Sequence, residues 1–213
     1  MFMRFIQLLV MFALGFFIIG CSTQLKTSIE HNVHLLQKDE IKNHGMSFIT
    51  PTTITGMEED KQYLALTFSH ALHKIRTELK ITDLSKVLGM INQTDATDDY
   101  SKMYDGYRET GIFNKKVLEK IGKLTGNRYA CQLKLSHFKS DAQGRWSMLG
   151  FSIFDTEYAN LRLFVQIWDT KKGIIVWEAA QEVTYAYDTT SQEPVTFEKM
   201  IHLAAKDIAK VLP

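Results

Sequence analysis

In Arg128 to Phe138, and again in about Tyr158 to Trp168, apolar residues recur on every second position, which is the period of a half-buried β-strand. Cys131, Leu133 and Leu135 share one face of Arg128 to Phe138, and Leu161, Leu163, Val165 and Ile167 share one face of about Tyr158 to Trp168. Asp169-Thr170-Lys171-Lys172-Gly173 then reads as a hairpin turn, with Gly173 supplying the positive backbone angle, into a third strand from Ile174 to Tyr187. Three strands of this kind need a cover for their apolar face, and the flanking sequence offers helices.

Thr55 followed by Glu58 has the form of a capping box, opening a helix from about Met57 to Leu79 whose stripe is Leu64, Phe68, Ala71, Leu72, Ile75 and Leu79. Ahead of it, Ser47 to Thr55 is strand-like but holds Pro51, which suits an irregular or edge strand. A short strand is expected at Leu79 to Thr82. Asp83 then caps a helix carrying Leu84, Val87, Leu88 and Ile91, and Asp98 or Asp99 starts one carrying Tyr100, Met103, Tyr104 and Tyr107. Asn114 starts another through Val117, Leu118, Ile121 and Leu124, with Gly126 at the left-handed cap position. Thr196 caps a terminal helix with Phe197, Ile201, Ala204, Ala205, Ile208, Val211 and Leu212 on its stripe. The order predicts an α/β fold of the mixed α+β kind: one domain, a mixed sheet covered by helices, and a C-terminal helix.

The amino terminus has a different character. Arg4 is followed by an apolar run of about 16 residues from Phe5, shorter than a membrane-spanning helix normally needs, which ends in Gly20-Cys21. Ile18-Ile19-Gly20-Cys21 resembles the bacterial lipobox. The resemblance implies that residues 1–20 are a lipoprotein signal peptide and that Cys21 becomes a lipidated amino terminus carrying diacylglycerol and an N-acyl chain such as palmitate. An uncleaved signal anchor is the alternative. In the sorting rule that comes with the resemblance, Ser22 rather than Asp after the cysteine directs the protein to the periplasmic side of the outer membrane. Residues 21–45 are polar, contain His31, His34 and His44, and read as the lipidated terminus and tether, with room for a short helix near Ile29 to Gln37. A flexible tether of that length reaches roughly 27 Å. Residues 46–213 form the globular domain.

Arg4 is the one charged residue among the first twenty, so a chain that begins at Cys21 holds 24 basic and 24 acidic residues in 193. A balanced chain with no basic stripe is poorly suited to neutralise phosphates, so no nucleic-acid partner is expected. Past Cys21 the one remaining thiol is Cys131, placed by its alternation in the core.

Ile81-Thr82-Asp83-Leu84-Ser85-Lys86-Val87-Leu88, Thr110-Gly111-Ile112, Leu124-Thr125-Gly126-Asn127-Arg128-Tyr129 and the stretch from Leu161 through Trp168-Asp169-Thr170-Lys171-Lys172-Gly173 to Trp177-Glu178 carry a wider likeness. Residues 46–212 resemble the periplasmic lipoprotein superfamily that includes the TolB amino-terminal domain, the curli secretion lipoprotein, the activator lipoproteins of penicillin-binding proteins and a pellicle-polysaccharide export lipoprotein. The shared residues are turn and core residues, so the likeness implies a fold and an envelope setting, and allows assembly into a ring as a homo-oligomer. It transfers no reactive site.

Catalysis needs a positioned base, nucleophile or metal, and the sequence presents none. His31 with His34, and His70 with His73, have helix-face spacing without a Cys, Asp or Glu to complete a metal site. Glu58-Glu59-Asp60 and Asp98-Asp99 lie at helix starts, where carboxylates suit the dipole. No catalytic residue, metal or cofactor beyond the lipid on Cys21 is expected. The stretch Phe138 to Tyr158, read as a loop around Gly144 and Gly150, holds Trp146, Met148, Leu149, Phe151 and Phe154. Either these residues fold into the core or, if exposed, they form a contact surface for a protein or membrane. The expected function is that of a non-enzymatic, lipid-anchored subunit of a secretion, export or wall-synthesis assembly, partnered by the membrane and other envelope proteins; the alternative is a periplasmic small-ligand binding or sensor module.

Overall fold

A computed structural model describes residues 24–148, 151–188 and 195–213, with side chains described outside 140–157 and 187–194. Among the described residues six strands and six helices follow one another as β1 (Gln24–Val33), α1 (Glu40–His44), β2 (Met46–Phe48), α2 (Glu58–Ile75), β3 (Ile81–Thr82), α3 (Leu84–Gln93), α4 (Thr97–Thr110), α5 (Lys115–Thr125), β4 (Tyr129–Met148), β5 (Phe151–Asp169), β6 (Ile174–Asp188) and α6 (Phe197–Val211). The strands make one mixed sheet in the order β1-β6-β5-β4-β2-β3. β4, β5 and β6 form an antiparallel meander, and β1 runs antiparallel to β6, whereas β2 lies parallel to both β4 and β3. This is the mixed α+β domain that the alternation and the helical stripes predict.

The period-two alternation sorts side chains into two cores, one on each face of the sheet. Tyr129, Cys131, Leu133 and Leu135 of β4, with Leu161, Leu163, Val165 and Ile167 of β5, point to the face covered by α2 and α6. The intervening Ala130 and Trp168 point to the opposite face, where Val87, Ile91, Met103, Phe113, Leu118 and Ile121 of the α3–α5 region close over them. Trp177 is completely buried at the centre of the first core. α2 and α6 are tied at their far ends by Arg76, which donates to the carbonyls of Ala209 (3.0 Å) and Leu212 (2.8 Å) that the end of α6 leaves free.

Local signals hold at several element ends. Asn114 accepts from Lys116 N and Val117 N at the start of α5, and Thr196 accepts from Lys199 N at the start of α6. Gly126 closes α5 in the left-handed region.

Four expectations are corrected. Residues 24–45 are not a free tether with a helix at Ile29 to Gln37: Gln24–Val33 is a strand laddered to β6, and Leu36 and Ile41 are buried in the first core. The backbone bonds to β6 order this polar stretch where periodicity shows no stripe. Thr55 does not form a box with Glu58; its hydroxyl accepts from Met57 N and donates to Asp60, and the helix opens at Glu58 and ends at Ile75. The strand expected at Ser47 to Thr55 is cut to Met46–Phe48 plus one bridge from Thr52 to Lys134, since Pro51 removes a ladder donor. The loop expected around Gly144 and Gly150 is instead two strand arms, because β4 runs on to Met148 and β5 begins at Phe151.

Candidate interaction surface

β2 covers the outer edge of β4 at Tyr129 to Cys131, with the Thr52 bridge at Lys134, while β6 accompanies β5 from Thr156 onward. Beyond those limits β4 and β5 continue as a two-stranded ribbon, with Trp146 opposite Phe154 and Met148 opposite Phe151 in the register. Shifts between Leu135 and His137, Gly144 and Trp146, and Trp146 and Ser147 break its regularity. The backbone therefore brings four of the expected contact residues, Trp146, Met148, Phe151 and Phe154, into one stretch of ladder. Leu149 and the side chains of these four lie outside the described residues, as does Cys21.

Two hollows flank the helices. The larger, about 680 Å³, opens between α2 and the start of α3; Tyr63, Leu66, Leu84 and Leu88 give it an apolar lining, and Glu59, Asp60 and Asp83 an acidic one. Tyr63 and Leu66 are 45% and 47% exposed, apolar residues left over from the stripe that packs on the sheet. Sequence periodicity passes them by because they sit out of phase with Leu64, Phe68 and Leu72. Asp83 stands just before α3, but its carboxylate accepts from Ser69 Oγ at 2.7 Å, so it staples α2 to α3 rather than capping its own helix. The second hollow, about 510 Å³, lies at the ends of α1 and α5 and is mostly cationic, with Lys80, Lys123, Arg128 and Lys171 around it against the single carboxylate of Glu119. Those cations face the carbonyl ends of two helices, where positive charge is favoured.

The titratable groups that burial perturbs serve the core. Tyr100 and Tyr104 close the second core with their hydroxyls on Thr50, Tyr104 donating to Thr50 O at 2.8 Å, and burial pushes both phenols up. Burial also raises the Cys131 thiol. His31 and His34 do not share a helix face: His31 is in β1, and His34, just beyond it, pairs with Glu178 at 3.2 Å. His70 lies on α2 with His73, outside any cluster of three metal-ligating groups among the described residues. No described helix is long and apolar enough to cross a membrane.

No protein-family model matches the chain, and no curated protein matches it. Among solved structures it is similar to the PelC dodecamer of Paraburkholderia phytofirmans, with 9% identity and a TM-score of 0.49 over 88% of this chain and 98% of that one. It is also similar to the lipoprotein GNA1162 of Neisseria meningitidis, with 10% identity and a TM-score of 0.43 over 78% of this chain and 94% of that one.

Proposed function

We propose that this chain is a non-enzymatic lipoprotein on the periplasmic side of the outer membrane, a subunit of an envelope assembly for secretion, export or wall synthesis that works through protein contacts. The observation that carries the reading is Ile18-Ile19-Gly20-Cys21, closing a short apolar run and set just ahead of the first strand at Gln24. Residues 1–20 are its signal peptide and Cys21 its acylated terminus. Gln24 stands three residues after Cys21, at most ~11 Å of chain, so the anchor holds the sheet edge near the headgroups rather than a domain's width away. Two or three acyl chains at one residue supply the firm attachment that one chain alone does not. The backbone of the β4–β5 ribbon carries Trp146, Met148, Phe151 and Phe154, and Leu149 lies between its arms in sequence; aromatic residues and methionine are the types enriched in protein interfaces.

Two measurements test this reading. Cys21→Ser should leave the precursor unprocessed and shift the protein out of the acylated fraction; a variant processed like the parent removes the lipoprotein claim. Capture from detergent-solubilised envelopes should recover a reproducible set of partners that a Trp146→Ala/Phe154→Ala chain loses while keeping its melting temperature.

A second reading, a periplasmic small-ligand module, is favoured by the 680 Å³ hollow between α2 and α3, which combines apolar walls with three carboxylates. Its ligand would be a small apolar cation. Leu66→Glu should then abolish a thermal shift produced by such compounds, and the absence of any shift across a cationic amphiphile panel removes the reading.

A further inference from the structure

β1 is an edge strand of unusual openness. It keeps ten consecutive pairs with β6 without a bulge, and no strand lies on its outer side among the described residues. Its outer row of backbone N–H and C=O groups is a template for another strand: no proline or bulge interrupts it, no described strand lies along it, and its charged residues Lys26 and Glu30 are of opposite sign.

The side chains along β1 read the same in both directions where it matters. Ile29 points to the first core and is half-buried against it, so Leu25 and Val33, four residues away on either side, share its face. Leu25 is 48% exposed and Val33 52%, both large apolar residues left open by the fold. An antiparallel partner identical to β1, centred on Ile29, sets Leu25 opposite Val33 at one end, Val33 opposite Leu25 at the other and Ile29 opposite its twin. On the other face the same register sets Lys26 opposite Asn32 and Ser28 opposite Glu30, with each Lys26 diagonal to the partner's Glu30, two attractive diagonals against the one between the two Glu30 side chains. Diagonal neighbours are within reach of long side chains of opposite charge.

We propose that β1 is a self-association edge: two copies of this chain pair through β1, antiparallel and centred on Ile29, into one continuous sheet of twelve strands. The contact is isologous, so it closes at two copies and leaves no further β1 edge to extend. Both copies place their α2 and α6 layer on the same side, because a two-fold axis normal to the sheet preserves its faces. The pairing uses only β1 and stands or falls independently of the lipid on Cys21.

The test is cysteine crosslinking in the full chain, in membranes, with Cys21 and Cys131 retained and the unsubstituted chain as background. In the proposed register Ile29→Cys places two thiols directly opposite, at the separation a disulfide needs, whereas Thr27→Cys places them about 14 Å apart along the strand axis. Mild oxidation should convert Ile29→Cys to a species of twice the chain mass, with ~10-fold more of it than Thr27→Cys gives, since that separation cannot be bridged. A Leu25→Glu chain should lose the crosslink at Ile29→Cys, and adding Val33→Lys should restore it by setting Glu opposite Lys at both ends. Three results overturn the proposal: Ile29→Cys no higher than background, Ser28→Cys or Thr27→Cys yielding as much dimer as Ile29→Cys, or a crosslinked product whose mass shows a different protein on the edge.

Discussion

Arg128 donates from both Nε (3.1 Å) and Nη2 (2.9 Å) to one oxygen of Asp169, while the other oxygen of Asp169 accepts from the backbone N–H groups of Lys171 and Lys172. Asp169 is almost fully buried, so its charge is tolerable only because all its partners are present. One carboxylate thereby shapes the β5–β6 turn and pins it to the start of β4.

Asp169→Ala removes the turn's acceptor and leaves Glu40, at 3.4 Å, as the carboxylate partner of Arg128 among the described residues. The expected loss is about 2–4 kcal/mol, the range for breaking a buried charged hydrogen-bond network. Urea denaturation of parent and variant measures it, and a loss under about 0.5 kcal/mol would contradict the assigned role.

Glu40 gives the same region a pH dependence. The Gln37 backbone N–H, then the Tyr129 hydroxyl and the Arg128 guanidinium, hold the Glu40 carboxyl below the usual range against the opposing effect of burial. A carboxylate whose folded pKa is depressed contributes stability that is fully present above its unfolded value near pH 4.3 and is lost as the pH falls through the lower folded value. Urea midpoints from pH 6 down to pH 3 should therefore fall less steeply for Glu40→Gln than for the parent, with the curves converging at the acid end.

Cys131 should be chemically silent in the native protein. It is buried in β4 with its thiol pushed up by desolvation, which suppresses the thiolate that reacts with disulfide reagents. Labelling should require unfolding, so its rate should rise with urea along the unfolding curve; fast labelling without denaturant would place the thiol elsewhere.

Gly45 joins α1 to β2 with φ of 73°, and a Cβ there would stand 2.0 Å from Asn127 Oδ1. Asn127 is itself buried, donating to Ser47 Oγ (2.8 Å) and Thr82 Oγ1 (2.7 Å) across the three parallel strand starts. Gly45→Ala combines left-handed strain with displacement of that amide and should cost more than about 2 kcal/mol, whereas Gly89→Ala, with open space and an ordinary helical backbone, should be neutral or stabilising. Comparing the two thermal midpoints checks the contrast.

The parts of the fold that are readable from sequence are those whose cause is local. Asn114 and Thr196 cap the helices that follow them, and Asp169 to Gly173 turns the chain between two alternating strands, because each uses groups within a few residues of itself. β1 escapes such reading: Gln24–Val33 buries almost nothing, and what orders it is a backbone ladder to residues some 150 positions away. Asp83 is legible as a position and not as a contact, since its partner Ser69 lies on another helix. The same holds for the hollow beside it, whose apolar residues Tyr63 and Leu66 show only as exceptions to the stripe of α2. The glycines at 144 and 150 suggest a loop to any reader of composition, while the long pairing of β4 with β5 carries the strand past the first of them.

The start of β1 at Gln24 also decides how the body bears force. Ladder bonds run perpendicular to the strand, so tension applied along β1 from its amino-terminal end shears its paired positions against β6 together instead of unzipping them singly. A domain attached through slack chain would swing and absorb a pull. With the ladder already engaged at Gln24, a tug from the amino-terminal side of β1 is delivered into β6 and the core behind it.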